Sequence, residues 1–360
     1  MRRIEYRRTT WHRRYKRALG GCLAVLAALM MAFPAFASGD PSKSGLTGED
    51  LTEQQPRQRM LIPGGTPFGV RVYTRGVLVF RVEPGSTAEK CGILAGDLIT
   101  ELDGKAVCGA IDFSKRIAEI ESETMVLTVE RGKERLKISA HKNECTGQVD
   151  CRAAGLGVYV RDTLAGIGTL TYFDPQTGAF AGLGHGICDG ASGTLVPIVE
   201  GTIADVRITS VNKGFPGAPG QLRGIFCPGV KGSVLYNKEE GLFGIFQKQM
   251  PYAGDPCPVA DKGQIREGKA EILCTVSGPG PEKYDVQIER IYGYDRHTKN
   301  FLIKVTDKRL LEEAGGIVQG MSGSPILQDG RIIGAVTHVL VDDPTSGYGI
   351  YIGNMLDAAK

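Results

Sequence analysis

A short run near the carboxyl end, Gly320-Met321-Ser322-Gly323-Ser324-Pro325, holds the residue types that acyl transfer requires. A tight glycine turn there aims the N–H groups of Gly320 and Ser322 at one point beside the Ser322 hydroxyl, which is the arrangement that stabilises an oxyanion. The continuation, from Ile326 through Asp329-Gly330 to Thr337-His338, reads as an apolar strand, a hairpin turn and a second apolar strand. A plain glycine-rich turn with two surface serines would have the same composition, since glycine and serine serve any hairpin. A serine nucleophile also needs a base to take its proton and a group to hold that base.

Five histidines are available for the base. His12 lies in a basic head, His141 at the end of an earlier domain, and His297 in the polar turn Asp295-Arg296-His297-Thr298-Lys299. His185 sits in Phe180-Ala181-Gly182-Leu183-Gly184-His185-Gly186, a strand end flanked by glycines that exposes the ring at a barrel rim. The Gly-x-Ser-Gly-x-Pro run and its hairpin resemble the nucleophile region of chymotrypsin-like serine peptidases. That resemblance places Thr337 and His338 in the substrate groove and leaves His185 as the base. Met321 stands where zymogens of that class carry an acid, so activation by a new amino terminus is excluded. Gly316 stands where a basic-specific enzyme carries an acid, so no preference for Lys or Arg follows. Spacing alone does not choose the third member among Asp174, Asp189, Asp295, Asp307 and Asp342. Cys188 as an alternative nucleophile lies three residues from His185 on a glycine-rich turn, which is poor geometry for a pair.

The elements that position these groups are mainly β. The chain has 360 residues, with 50 glycines and 18 prolines, and is long enough for two or three cores. Its net charge of +3 comes from one amino-terminal cluster running from Arg2 to Arg17, so nothing points to nucleic acid. Residues 1–37 read as a signal peptide or signal anchor, basic and then apolar, with Ala35-Phe36-Ala37 as a small-x-small cleavage site. Residues 38–60 are polar and read as a disordered linker. Nine cysteines show no paired framework and no Cys-x-x-Cys. Cys91, Cys108, Cys227 and Cys274 read as buried thiols, Cys145 and Cys151 are the pair to test for a bridge, and no metal site or cofactor is expected.

Residues 61–143 carry a strand at 76–82, a capped turn at 86–92, Leu94-Ala95-Gly96-Asp97-Leu98-Ile99, an amphipathic helix at 111–120 and a strand at 124–131. That order resembles a PDZ domain of the bacterial protease type. The resemblance implies a peptide added as a strand, its carboxylate held by the N–H groups of Phe68, Gly69 and Val70. Residues 144–360 alternate short apolar strands with turns, as a β-barrel or pair of barrels does.

With the signal segment, the PDZ order, Gly184-His185-Gly186, Thr306-Asp307, the serine hexapeptide and Thr345-Ser346-Gly347-Tyr348-Gly349, nearly the whole chain resembles the stage IV sporulation protein B family. This is a PDZ-containing serine peptidase family of spore-forming bacteria. The resemblance implies a PDZ domain followed by a chymotrypsin-like β-barrel peptidase domain, with a catalytic triad on His185, Asp307 and Ser322. Without it, Asp307 reads equally as a helix N-cap before Lys308-Arg309-Leu310-Leu311. The family likeness further implies self-cleavage in the amino-terminal region and cleavage of a membrane-bound regulator of an intramembrane protease. The expected location is beyond the cytoplasmic membrane, tethered or released, in the intermembrane space of the developing spore. A non-catalytic PDZ scaffold with a peptidase-like β domain is the alternative from another class.

Overall fold

The computed structural model describes residues 59–141, 152–153, 156–247 and 254–360. The expected signal segment, all but the end of the linker, and Cys145 and Cys151 lie outside these residues. Among the described residues no helix is long and apolar enough to cross a membrane.

Two strands of 16 residues each, Pro67–Val82 and Val158–Phe173, set the architecture. In the first, buried Val70 and Val72 alternate with exposed Arg71 and Tyr73, the period-two pattern that hides one face of a sheet. The two strands pair antiparallel from Pro67↔Thr169 to Tyr73↔Thr163, lose register, and pair again from Leu78↔Arg161 to Val82↔Val158. Each half of this ribbon serves a different core.

The first half closes a barrel. Ala179–Gly182, Gly241–Phe246, Gly232–Lys238 and Ile198–Asn212 follow Val158–Phe173 around the ring, and the last pairs back to Pro67–Val82. Phe68, Val72, Leu170, Phe180, Ile203 and Leu242 fill it. The second half runs into a PDZ unit made with Leu98–Leu102, Thr124–Arg131, Glu134–His141 and the helices Thr87–Lys90 and Ala110–Glu119. Its separate core includes Val79, Phe113, Ile117, Leu127 and Val158. A second closed barrel follows, from Gly268–Cys274, Glu282–Ile291, Phe301–Val305, Ser346–Tyr351, Arg331–Val339 and Pro325–Gln328.

The PDZ unit is therefore inserted in the opening hairpin of the first barrel, whereas the sequence suggested that it precedes the peptidase domain. Residues 67–74 pair within the first barrel, and residues 158–161 complete the PDZ sheet. This also moves Phe68, Gly69 and Val70 out of a carboxylate-binding loop. Each of the three is paired on both sides, with Gly168, Ile167 and Gly166 on one and Asp205, Ala204 and Ile203 on the other. A central strand keeps its amides in the ladder, so they hold no peptide terminus. Cys274 is buried, but Cys108 is exposed in the turn before the helix Ala110–Glu119.

Candidate active site

Ser322 stands where the two barrels meet. Thr169 on Val158–Phe173 donates its N–H to the Ser322 carbonyl at 2.9 Å and its hydroxyl to the Gly320 carbonyl at 2.8 Å. Thr171 donates its hydroxyl to the Gly323 carbonyl at 2.8 Å. Both threonines are buried, so these bonds tie a turn of the second barrel to a strand of the first in a low-dielectric setting. Gly323 has φ 99°, and a Cβ there would lie 2.0 Å from the Thr169 carbonyl oxygen, so the turn accepts no side chain. The Ser322 hydroxyl donates to the Thr337 carbonyl at 2.6 Å, and the Thr337 hydroxyl donates to the Tyr348 carbonyl at 3.2 Å. Among the described residues no acceptor engages the Gly320 or Ser322 N–H.

His185 arrives from the first barrel. After the strand Ala179–Gly182, Leu183 takes φ 68° and Gly184 φ 66°, which turns the chain toward the second barrel. A left-handed leucine costs roughly 1–2 kcal/mol. It is held by burial and by its N–H bond to the Thr169 carbonyl at 3.2 Å. The His185 ring lies 4.7 Å, centroid to centroid, from that of His338. His338 follows directly on Thr337, whose carbonyl holds the serine hydroxyl. The nucleophile, base and groove candidates thus come to one place.

His185 Nδ1 lies 2.8 Å from the Gly186 carbonyl. A carbonyl only accepts, so the bond assigns the proton of the neutral ring to Nδ1 and leaves Nε2 free to take one. Burial pushes the His185 pKa down, against a smaller upward push from the Gly186 carbonyl. His338 is pushed down to about 4 by burial first and then by His185 and Lys299. Both rings are therefore neutral near pH 7, as a general base must be.

Asp307 is put to a different use. Its carboxylate accepts from the N–H of Arg309 at 2.9 Å and of Leu310 at 3.4 Å, capping the helix Lys308–Ala314. Its other oxygen takes the Asp285 N–H at 3.3 Å and the Arg309 guanidinium at 3.1 Å. Burial pushes this carboxyl up, but Arg309 and the surrounding amides outweigh it and hold it below the ordinary range. Leu302 is the residue of this strand paired with Tyr348, beside Thr337. Asp307 lies past the end of that strand at Val305, as the N-cap of the helix that follows. Among the described residues His185 has no carboxylate partner. Burial and then Glu239 push the Cys188 thiol pKa up, which favours the unreactive thiol over the thiolate.

A solvent-open cleft of about 690 Å³ opens beside His185 and His338, lined by apolar Val70, Leu164, Ile167 and Ile187 and also by Glu239. Thr169, Thr171 and Leu183 were missed in the sequence. The alternation Thr169-Leu170-Thr171 marks a strand with a polar face, yet does not say that the face receives another barrel's turn.

Two β-barrels, with a serine turn fixed between them and a histidine from the facing barrel, form a chymotrypsin-like double-barrel architecture, here with a PDZ insertion. The model of the SpoIVB peptidase S55 family matches residues 152–356, more than half of the chain, and the protein belongs to that family. A PDZ domain model matches residues 79–131, inside the insertion. The Synechocystis sp. protein HhoB, a serine protease by its designation, is 32% identical over 117 residues, which are 32% of this chain and 28% of that protein. A DegP-like periplasmic serine endoprotease of Chlamydia pneumoniae is 28% identical over 104 residues, 29% of this chain and 21% of that one. The chain thus spans about a quarter of the length of these relatives. Among solved structures, the active form of the Rv3671c protease from M. tuberculosis is 13% identical, with a TM-score of 0.33 over 54% of this chain and 72% of that one.

Proposed function

We propose that the protein is a serine endopeptidase in which Ser322 attacks the peptide carbonyl and His185 Nε2 takes the hydroxyl proton. The Gly320 and Ser322 amides receive the oxyanion of the tetrahedral intermediate, and His185 returns the proton to the leaving amine. Water then hydrolyses the acyl-enzyme by the same steps in reverse order. The observation that carries this reading is the meeting of three groups at the barrel junction: a serine turn with two unengaged amides, a neutral imidazole, and a strand bearing Thr337 and His338. Before attack the Ser322 hydroxyl leaves the Thr337 carbonyl for the imidazole; catalytic hydrogen bonds commonly tighten only once substrate is bound.

Family membership supports a finer reading, in which the enzyme cuts its own amino-terminal region and a membrane-bound regulator of an intramembrane protease. This cleavage activates a late mother-cell sigma factor during sporulation. The work is done beyond the cytoplasmic membrane, between the two membranes of the developing spore. One observation favours the scaffold alternative, namely the resting bond from Ser322 to Thr337 in place of a bond to His185. Labelling with a serine-directed phosphonate, with amino-terminal mapping of the processed chain, separates the two. Labelling and processing that vanish in Ser322→Ala support the peptidase; unchanged processing in that variant overturns it.

A further inference from the structure

A second cavity, of about 400 Å³, lies against the oxyanion turn, where Gln319 and Gly320 form part of its wall. It takes no lining from Arg331–Val339, the strand whose Thr337 carbonyl holds the serine hydroxyl, and so occupies the other flank of Ser322. An arm of the first barrel encloses it. The strand Gln221–Phe226 pairs with the end of Ile198–Asn212 and crosses to the second barrel, where Leu222 is buried in the core and donates its N–H to the Gln319 carbonyl at 2.8 Å. At the arm's other end the exposed Phe226 ring lies over Gly69 of Pro67–Val82. The floor is the edge Ala165-Gly166-Ile167, which lines the His185 cleft as well. Along a strand, successive residues turn their N–H and C=O to opposite sides. Thr169 turns its pair away from Pro67–Val82, toward Ser322 and Leu183, so Ile167 and Ala165 turn theirs the same way, onto the two cavities. Among the described residues no backbone bond engages them there.

We infer that this cavity is the subsite for an apolar side chain of the polypeptide that leaves when Ser322 is acylated, with the leaving chain added as a strand to the edge 165–167. The inference rests on the peptidase reading above and deepens it. His185 must reach the leaving nitrogen to give it a proton, so that part of the substrate begins at the His185 cleft. The edge common to both spaces carries it onward into the second. Unpaired edge amides and carbonyls bind main chain of any sequence, and the cavity adds the choice of side chain. Ile167, Leu222 and the Phe226 ring offer that side chain apolar contact, while glycines at 166, 224 and 320 leave it room.

The test addresses the leaving side directly. The full chain is acylated at Ser322 by a nitrophenyl ester, and dipeptide amides compete with water for the acyl group. The amine nitrogen bonds to the acyl carbon, its proton passes through His185 Nε2 to the Ser322 oxygen, and the ester bond to Ser322 breaks. Leucyl-leucinamide is expected to capture the acyl group at least about tenfold faster than glycyl-glycinamide, the scale on which apolar pockets discriminate. That ratio should fall several-fold in Phe226→Ala, and likewise in Ala165→Phe, which fills the cavity from an exposed position. Phosphonate labelling at Ser322, which needs only the acyl side, reports whether the serine turn is intact in each variant. Equal rates for the two amides in wild type, or a wild-type ratio in either variant that still labels, overturns this inference and leaves the peptidase reading standing. A wild-type chain that neither labels nor turns over the ester overturns both.

Discussion

Two neutral imidazoles stacked beside a serine make pH the sensitive variable at the scale of single residues. His338 has a folded pKa of about 4, against about 6.5 when unfolded. Above 6.5 it is neutral in both states and adds nothing; below that the unfolded chain takes up a proton that the folded chain refuses. Stability is therefore lost as pH falls from about 6.5 toward 4. Denaturant midpoints measured at pH 7 and pH 5 should separate in wild type and draw together in His338→Phe; equal separations in both proteins would remove His338 from the account. Ser322 was legible because its hexapeptide carries turn, nucleophile and donors together, and His185 because glycines flank it.

Helix capping and barrel contact act at the scale of elements. Removing the Asp307 cap in Asp307→Ala should cost about 1 kcal/mol, with Asn restoring most of it. The readout is the urea midpoint. An Asp307→Asn protein of normal stability that no longer labels at Ser322 would return the acid's role to Asp307. Thr169→Val keeps the shape but leaves the Gly320 carbonyl without its hydroxyl donor, at a cost of about 1–3 kcal/mol. Because that carbonyl belongs to the oxyanion turn, kcat should fall more than KM rises; equal losses would mean general unfolding. Local patterns served the expected strands well, since a short apolar run such as Arg331–Val339, opened by the Asp329-Gly330 turn, reads as a buried strand. They failed at Phe68-Gly69-Val70. A glycine between apolar residues just ahead of an apolar strand suits a carboxylate loop and a half-buried strand alike, and only the partners on both sides decide.

At the scale of the whole molecule, the PDZ unit and the first barrel have separate cores joined by one ribbon. Replacing residues 75–161 by an Asn-Gly turn between Thr74 and Asp162 should leave a folded double barrel that still labels at Ser322 but processes protein substrates poorly. Failure of this chain to fold, judged by near-ultraviolet circular dichroism, would show that the barrel depends on its insertion. The order of motifs suggested domains arranged one after another. The nesting was hidden because Pro67–Val82 begins in one unit and ends in the other without a break in pattern.

Arg161 at the PDZ edge also pairs with buried Asp189, in the loop that follows His185. With two continuous strands and this ion pair as its mounting, the PDZ unit has no leash on which to wander. A flexible tether would tolerate many spans between two binding points. A stiff mounting instead holds the PDZ unit at one set span from the cleft beside His185, like a fixed rung rather than a swinging arm.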